Sequence, residues 1–339
     1  MRWMVPVLLA MCAASSLFLF SAHTAMRHGR ECPEVPFPVW EPPPLRRQFP
    51  RARNDTLSAC AEAPLARTRF ALVAYLAGRS PEGYAQGAAV LARTLSRFTD
   101  LDRVLITTDA VIADAPQGWT VCTVPTIPNL PFQTTNRFTD AHVYSKFNAW
   151  RLVEYEAILV LDLDTMVVAD PTDAFTVELP AMLASNATLG AALDRPASGC
   201  ERCEAAGGSF NSGVLLVVPS LDGFQRLTAS ILAVPHDATY RDQSLLNAVY
   251  AAEYYELPFA YNANLVSVYC EPDLWAAAGD VRIIHYTVAK PWGGSALSLS
   301  SDNPLACAWN GVRPYCDLWR LVREPSPRCM WRPLAPNPV

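Results

Sequence analysis

The sequence predicts an α/β fold with a mostly parallel central sheet. Two features predict it: wholly apolar runs of strand length, and amphipathic runs between them. Strand and helix patterns in alternation build βαβ units, and such units assemble parallel sheets. The chain has 339 residues, 51% hydrophobic and 17% charged, enough for one large domain or two modest ones and unlike a long disordered segment. A net charge of −5 without a basic stripe argues against nucleic acid as a partner.

The elements follow in order. Phe70 to Tyr75 (FALVAY) reads as a buried strand. Tyr84 to Phe98 carries Ala88, Leu91, Leu95 and Phe98 at helical spacing. Arg103 to Thr107 is a second strand, His142 to Tyr155 a helix, and Ala157 to Leu161 (AILVL) a central strand that ends at Asp162. Further strands are expected at Leu189–Leu193, Val214–Val218 and Val281–His285, with helices at Gly223–Ala233 and Gln243–Ala251. No internal repeat is visible.

Outside this core, Val5 to Ala22 is an uncharged apolar run with Arg2 before it and Arg27, His28 and Arg30 after it. It reads as a signal anchor or a cleavable signal peptide, since Ala22-His-Thr-Ala25 resembles a small-residue cleavage site. Either reading takes the chain into the secretory pathway, as a single-pass type II protein of the Golgi or ER lumen or as a secreted one. Ten cysteines, of which only Cys12 lies in the apolar run, suit an oxidising lumen. Sequons at Asn54 and Asn186 agree weakly. The expected division is a leader over 1–25, a Pro-rich stalk over 26–66, a catalytic domain over 67–295 and a Cys-, Pro- and Trp-rich tail over 296–339.

The chemistry centres on ILVLDLDTMVVADP. In an open α/β sheet, ligands bind beyond the C-terminal ends of strands. Alternate residues of an extended segment face the same way, so Asp162 and Asp164 can converge on one cation. Mg2+ and Mn2+ favour carboxylate oxygens and keep positions open for phosphates. Asp-x-Asp alone is common on loops; its place at the end of a buried strand is what marks it here.

Four further blocks occur in order. They are Lys146-Phe-Asn-Ala-Trp-Arg-Leu-Val-Glu-Tyr155, Phe210-Asn-Ser-Gly-Val214, Arg241-Asp-Gln-Ser-Leu-Leu-Asn247 and His285-Tyr-Thr-Val-Ala-Lys-Pro-Trp292. With the Asp-Leu-Asp strand they resemble family 8 of the retaining glycosyltransferases, the glycogenin-like enzymes, over about residues 70 to 292. The resemblance implies a GT-A type, Rossmann-like nucleotide-sugar-binding domain with helices on both faces. It implies a hexosyltransferase that moves a sugar from a UDP-sugar to a glycan or glycoprotein acceptor, with manganese or another divalent cation and with a homodimer allowed.

Residue by residue, the resemblance makes Asp162, Asp164 and His285 the metal ligands. It sets Lys146 and Lys290 on the donor phosphates, Asn211 and Gln243 on sugar hydroxyls, and Asp242 near the anomeric carbon as a positioning or electrostatic group. Leu163, Ser212 and Gly213 join the donor site as members of their motifs. Tyr84 falls where the family stacks an aromatic on the base, and Asp194 where a strand end reaches nucleotide or sugar. The chain departs from the pattern at Ala74–Pro81, which lacks the family's threonines, and before Lys290, which lacks a glycine. Two alternatives stand beside this reading: a non-catalytic sugar- or nucleotide-binding protein of the same fold, and self-glucosylation at Tyr269, where glycogenin modifies its own tyrosine.

Overall fold

A computed structural model describes residues 60, 67–76, 82–108, 116–128, 142–194, 209–236, 241–265, 267, 272–287 and 290–292. The apolar run 5–22, the stalk apart from Cys60, Tyr269 and the tail 296–339 lie outside the described residues. Among the described residues no helix is long and apolar enough to cross a membrane.

Seven strands make the main sheet: β1 (Phe70–Leu76), β2 (Asp102–Thr107), β3 (Thr120–Thr123), β4 (Ala157–Leu161), β6 (Leu189–Leu193), β7 (Phe210–Val217) and β8 (Tyr254–Glu256). Their order is β3-β2-β1-β4-β7-β6-β8. All neighbours run parallel except β7, which is antiparallel to both β4 and β6. β5 (Thr165–Val167), β9 (Ala263–Asn264) and β10 (Ile283–His285) form a second sheet in the order β5-β10-β9. The strand expected over Val281–His285 therefore belongs to this small sheet.

The side-chain alternation of the strands explains the two cores. Val73, Ile158 and Val160 face one side, with the segment Val143–Arg151 and helices α3 (Leu221–Ala233) and α4 (Arg241–Tyr250). Leu72, Leu159 and Leu161 face the other, with α1 (Glu82–Phe98), a π turn (Ala174–Glu178) and α2 (Leu179–Ala184). Helices thus cover both faces, because strands buried on both sides need apolar cover on both. Ser220 caps α3 by accepting from the Gly223 amide at 3.0 Å. A short α5 (Pro272–Ala277) completes the described helices.

Two corrections follow from packing. The helix expected over His142–Tyr155 is a 3₁₀ helix over Val143–Arg151. Tyr144 through Trp150 are all buried, so no solvent face exists to favour an amphipathic α-helix. Hydrogen bonds draw the backbone tight: Ser145 Oγ accepts from the Ile127 amide, and Asn148 Nδ2 donates to the Ser145 carbonyl. The strand expected from Val214 begins earlier, at Phe210, because Asn247 of α4 both accepts from the Phe210 amide and donates to its carbonyl, at 2.8 Å each.

Cys60 lies within the expected stalk, yet it is buried and disulfide-bonded to Cys122 of β3. Asn186 is exposed with φ 61°, closing α2 in the left-handed conformation that asparagine tolerates.

Candidate active site

β4 is buried along its whole length, so its end is rigidly placed. Leu161 pairs with Val214, which sets the C-terminal end of β4 beside the first residues of the antiparallel β7. The Asp162 amide donates to the Gly213 carbonyl at 2.8 Å. The Asp-Leu-Asp run and the Asn211-Ser212-Gly213 run are thereby locked edge to edge. Leu163 between the aspartates turns inward to the core. Its carbonyl backs onto α1 at Gly87, where a Cβ would stand 2.2 Å from the oxygen.

The small sheet supplies the third member. β5 follows Asp164 directly and pairs antiparallel with β10, opposing Thr165 to His285. The Tyr286 amide donates to the Asp164 carbonyl at 2.9 Å. His285 Nε2 then lies 3.4 Å from Asp164 Oδ1. One ligand atom each from Asp162, Asp164 and His285 can be chosen so that all lie within 4.8 Å of one another. Ligands about 2.1 Å from one first-row cation lie roughly 3 to 4 Å apart, so the donor set fits such an ion after small movements. Imidazole beside two carboxylates suits manganese or another transition ion better than calcium.

Lys146 is buried, and its Nζ reaches three oxygens: Asp162 Oδ1 at 2.7 Å, the Ser212 carbonyl at 2.8 Å and Asp242 Oδ2 at 3.4 Å. Burial pulls this ammonium down, but the charges of Asp162 and Asp242 outweigh it and the net shift is upward. In this arrangement Lys146 braces carboxylates, whereas the resemblance sets it on phosphate. Lys290 contacts Asp164 and donates to the Tyr286 carbonyl at 2.9 Å. Burial alone would raise the Asp164 carboxyl; His285 and Lys290 together hold it well below the usual range. Asp242 is pushed upward by burial, with Lys146 opposing and Asp162 assisting.

The remaining predicted residues form a polar wall. Asp194 accepts from Asn211 Nδ2 at 3.0 Å and from Gln243 Nε2 at 2.8 Å. Gln243 Oε1 accepts from the Ser212 amide, and Ser212 Oγ donates to Asp242. Four carboxyl groups (Asp162, Asp164, Asp194, Asp242) face two ammoniums (Lys146, Lys290), an acidic excess that suits a cation. Tyr84 lies against Trp292, with ring centroids 5.0 Å apart. Gly83 and Gly87 seat that tryptophan, since a Cβ at either would lie 3.0 Å or less from it.

Sequence reasoning missed one member of the wall. Asn262 is buried, donates through Nδ2 to Asn211 Oδ1 at 2.9 Å and meets His285 Nδ1 through Oδ1 at 2.9 Å. Nothing local marks it, because its partners Asn211 and His285 lie 51 and 23 residues away in the chain.

The family model described as glycosyl transferase family 8 matches residues 80–296. The chain is 25% identical over 254 residues to galactinol synthase 1 of Arabidopsis thaliana, covering 66% of this chain and 71% of that protein. It is 24% identical over 229 residues to glycogenin-1 of Mus musculus, covering 62% of each. The match to glycogenin-1 of Caenorhabditis elegans is 29% over 161 residues, 45% of this chain and 33% of that protein. The chain thus spans less than two thirds of either glycogenin. Among solved structures, an active-site mutant of LgtC superposes with a TM-score of 0.50 at 16% identity, covering 71% of this chain and 99% of that one. That likeness is one of fold.

Proposed function

We propose, for a chain that belongs to glycosyl transferase family 8, that it transfers a hexosyl residue from a UDP-sugar to a glycan or glycoprotein acceptor with retention, using Mn2+ or a similar divalent cation. The observation that carries this reading is the convergence of Asp162, Asp164 and His285 from two sheets. Two carboxylates at a strand end repel each other and favour a cation between them. The chemistry a bound divalent cation supplies there is neutralisation of the charge that builds on the departing diphosphate.

The chain's own residues divide the remaining work. Asp194 orients the Asn211 and Gln243 amides, which offers sugar hydroxyls a fixed pattern of donors and acceptors. Lys146 holds Asp242 and Asp162 at a set separation, tying the sugar-facing carboxylate to the metal-facing one. Lys290, about a third exposed, is the cation free to swing from Asp164 toward phosphate. The lumen of the Golgi or ER, reached through residues 5–22, is the proposed compartment, and the Cys60–Cys122 disulfide supports it.

The test is a panel of UDP-sugars incubated with the full chain, with Mn2+ and with chelator, following UDP release and sugar transfer. Manganese-dependent turnover of one or a few donors is expected. Binding of donor without any turnover across the panel would favour a sugar-binding protein of the same fold.

A further inference from the structure

The hydrogen bonds behind His285 leave their protons no choice, and the chain of constraint can be followed from its end. The Gly213 amide can only donate, and it donates to Asn211 Oδ1 at 2.9 Å. The Asp194 carboxylate can only accept, and it faces Asn211 Nδ2 at 3.0 Å. Both contacts orient the Asn211 amide the same way. Its Oδ1 is therefore an acceptor, so the group that Asn262 turns toward it at 2.9 Å must be the Nδ2 donor. The Asn262 Oδ1 is left facing His285 Nδ1 at 2.9 Å, and a carbonyl oxygen there requires that Nδ1 carry a hydrogen. In the neutral ring, Nε2 is then the nitrogen with a free lone pair, and Nε2 faces Asp164.

We propose that Asn262 is a positioning residue that sets the tautomer of His285, its own orientation dictated by Asp194 and the Gly213 amide through Asn211. This rests on reading Asp162, Asp164 and His285 as a cation site. A ligating histidine is held in register by what its other nitrogen donates to, and losing that partner typically lowers metal affinity about 10- to 100-fold. The relay also couples the two halves of the site: the side chain that orients the sugar-facing amides, Asp194, orients the metal-facing imidazole as well.

The alternative tautomer has a ready partner, which makes the proposal testable. Without an acceptor at 262, the ring proton shifts to Nε2, where the Asp164 carboxylate accepts it and the lone pair is blocked. The experiment uses the full chain, 15N-labelled on histidine and freed of metal by chelator, at a pH where the spectra themselves show a singly protonated His285 ring. Long-range proton–nitrogen correlation spectra distinguish a protonated ring nitrogen from a bare one, and His285→Gln identifies the signals among the five histidines. The expected result is a protonated Nδ1 and a bare Nε2 in the native chain, kept in Asn262→Asp and reversed in Asn262→Leu. Mn2+ titrations followed by electron paramagnetic resonance should show affinity about 10-fold or more weaker for Asn262→Leu than for Asn262→Asp. A protonated Nε2 in the native chain overturns the proposal, whatever the variants do. Equal affinity in the two variants also overturns it, since a merely structural asparagine would weaken both alike. A native chain with protonated Nδ1 that binds no Mn2+ would uphold the tautomer relay and refute the cation site itself.

Discussion

Gly213 and His285 touch across the seam between the two sheets. A Cβ at position 213 would stand 2.2 Å from His285 Cε1 and 2.6 Å from its Nδ1. The imidazole occupies the space a side chain at 213 would need, and Asn262 holds it at Nδ1.

Gly213→Ala is therefore expected to push the ring off Asn262 and out of line with Asp164. The alanine faces the site and not the core, so the fold should survive. Mn2+ affinity should fall roughly 10- to 100-fold, the range for losing support of a ligating histidine. Isothermal titration of Mn2+ into native and variant chains checks this, and unchanged affinity would show that the ring has room to spare.

Asp164→Asn removes one of the two carboxylates converging with His285. Turnover should drop roughly 100-fold or more, in line with removing a preorganised charge from a transition state. Stability should fall as well, because Asp164 is buried and His285 and Lys290 hold its carboxyl well below the usual range. Steady-state kinetics beside a thermal melt separates the two effects, and near-normal kcat would refute the metal assignment.

Burial lifts the Tyr261 phenol above its usual range, with Arg282 opposing and Glu178, Asp173 and Asp170 assisting. A folded-state pKa above the unfolded one means that the stabilisation is complete below about pH 10 and lost as pH rises through the folded value. Tyr261→Phe keeps the ring and removes that loss. Urea midpoints should match native at about pH 8 and exceed native at about pH 10.5, above the ordinary phenol pKa. The same native deficit in the variant at high pH would place the alkaline loss elsewhere.

The Cys60–Cys122 disulfide closes a separation of 62 residues. The chain-entropy account assigns such a loop about 4 kcal/mol. Cys60→Ser should lower the unfolding free energy by about that much in guanidinium titrations. A change within error of zero would mean that Cys60 keeps its buried position without the bond.

Much of the fold was legible locally. Ala157–Leu161 and Leu189–Leu193 coincide with the expected strands, and α1, α3 and α4 begin within two residues of where their apolar spacing placed them. These elements bury one face or two against a sheet, and burial of that kind writes itself into periodicity. β5, β9 and β10 did not show as a sheet of their own, because strands of two or three residues carry no period to read. The 3₁₀ helix at Val143–Arg151 was missed because its conformation is set by groups distant in the chain.

By itself, then, the sequence determined the alternating α/β order and the delivery of Asp162 and Asp164 at the end of β4, since each follows from neighbouring residues. Only the tertiary structure decided that β10 pairs with β5 and carries His285 to them, that Lys146 braces two carboxylates, and that Asn262 stands behind the imidazole. Those contacts join residues far apart in the chain, through sheet register and hydrogen-bond direction, and neither leaves a local pattern.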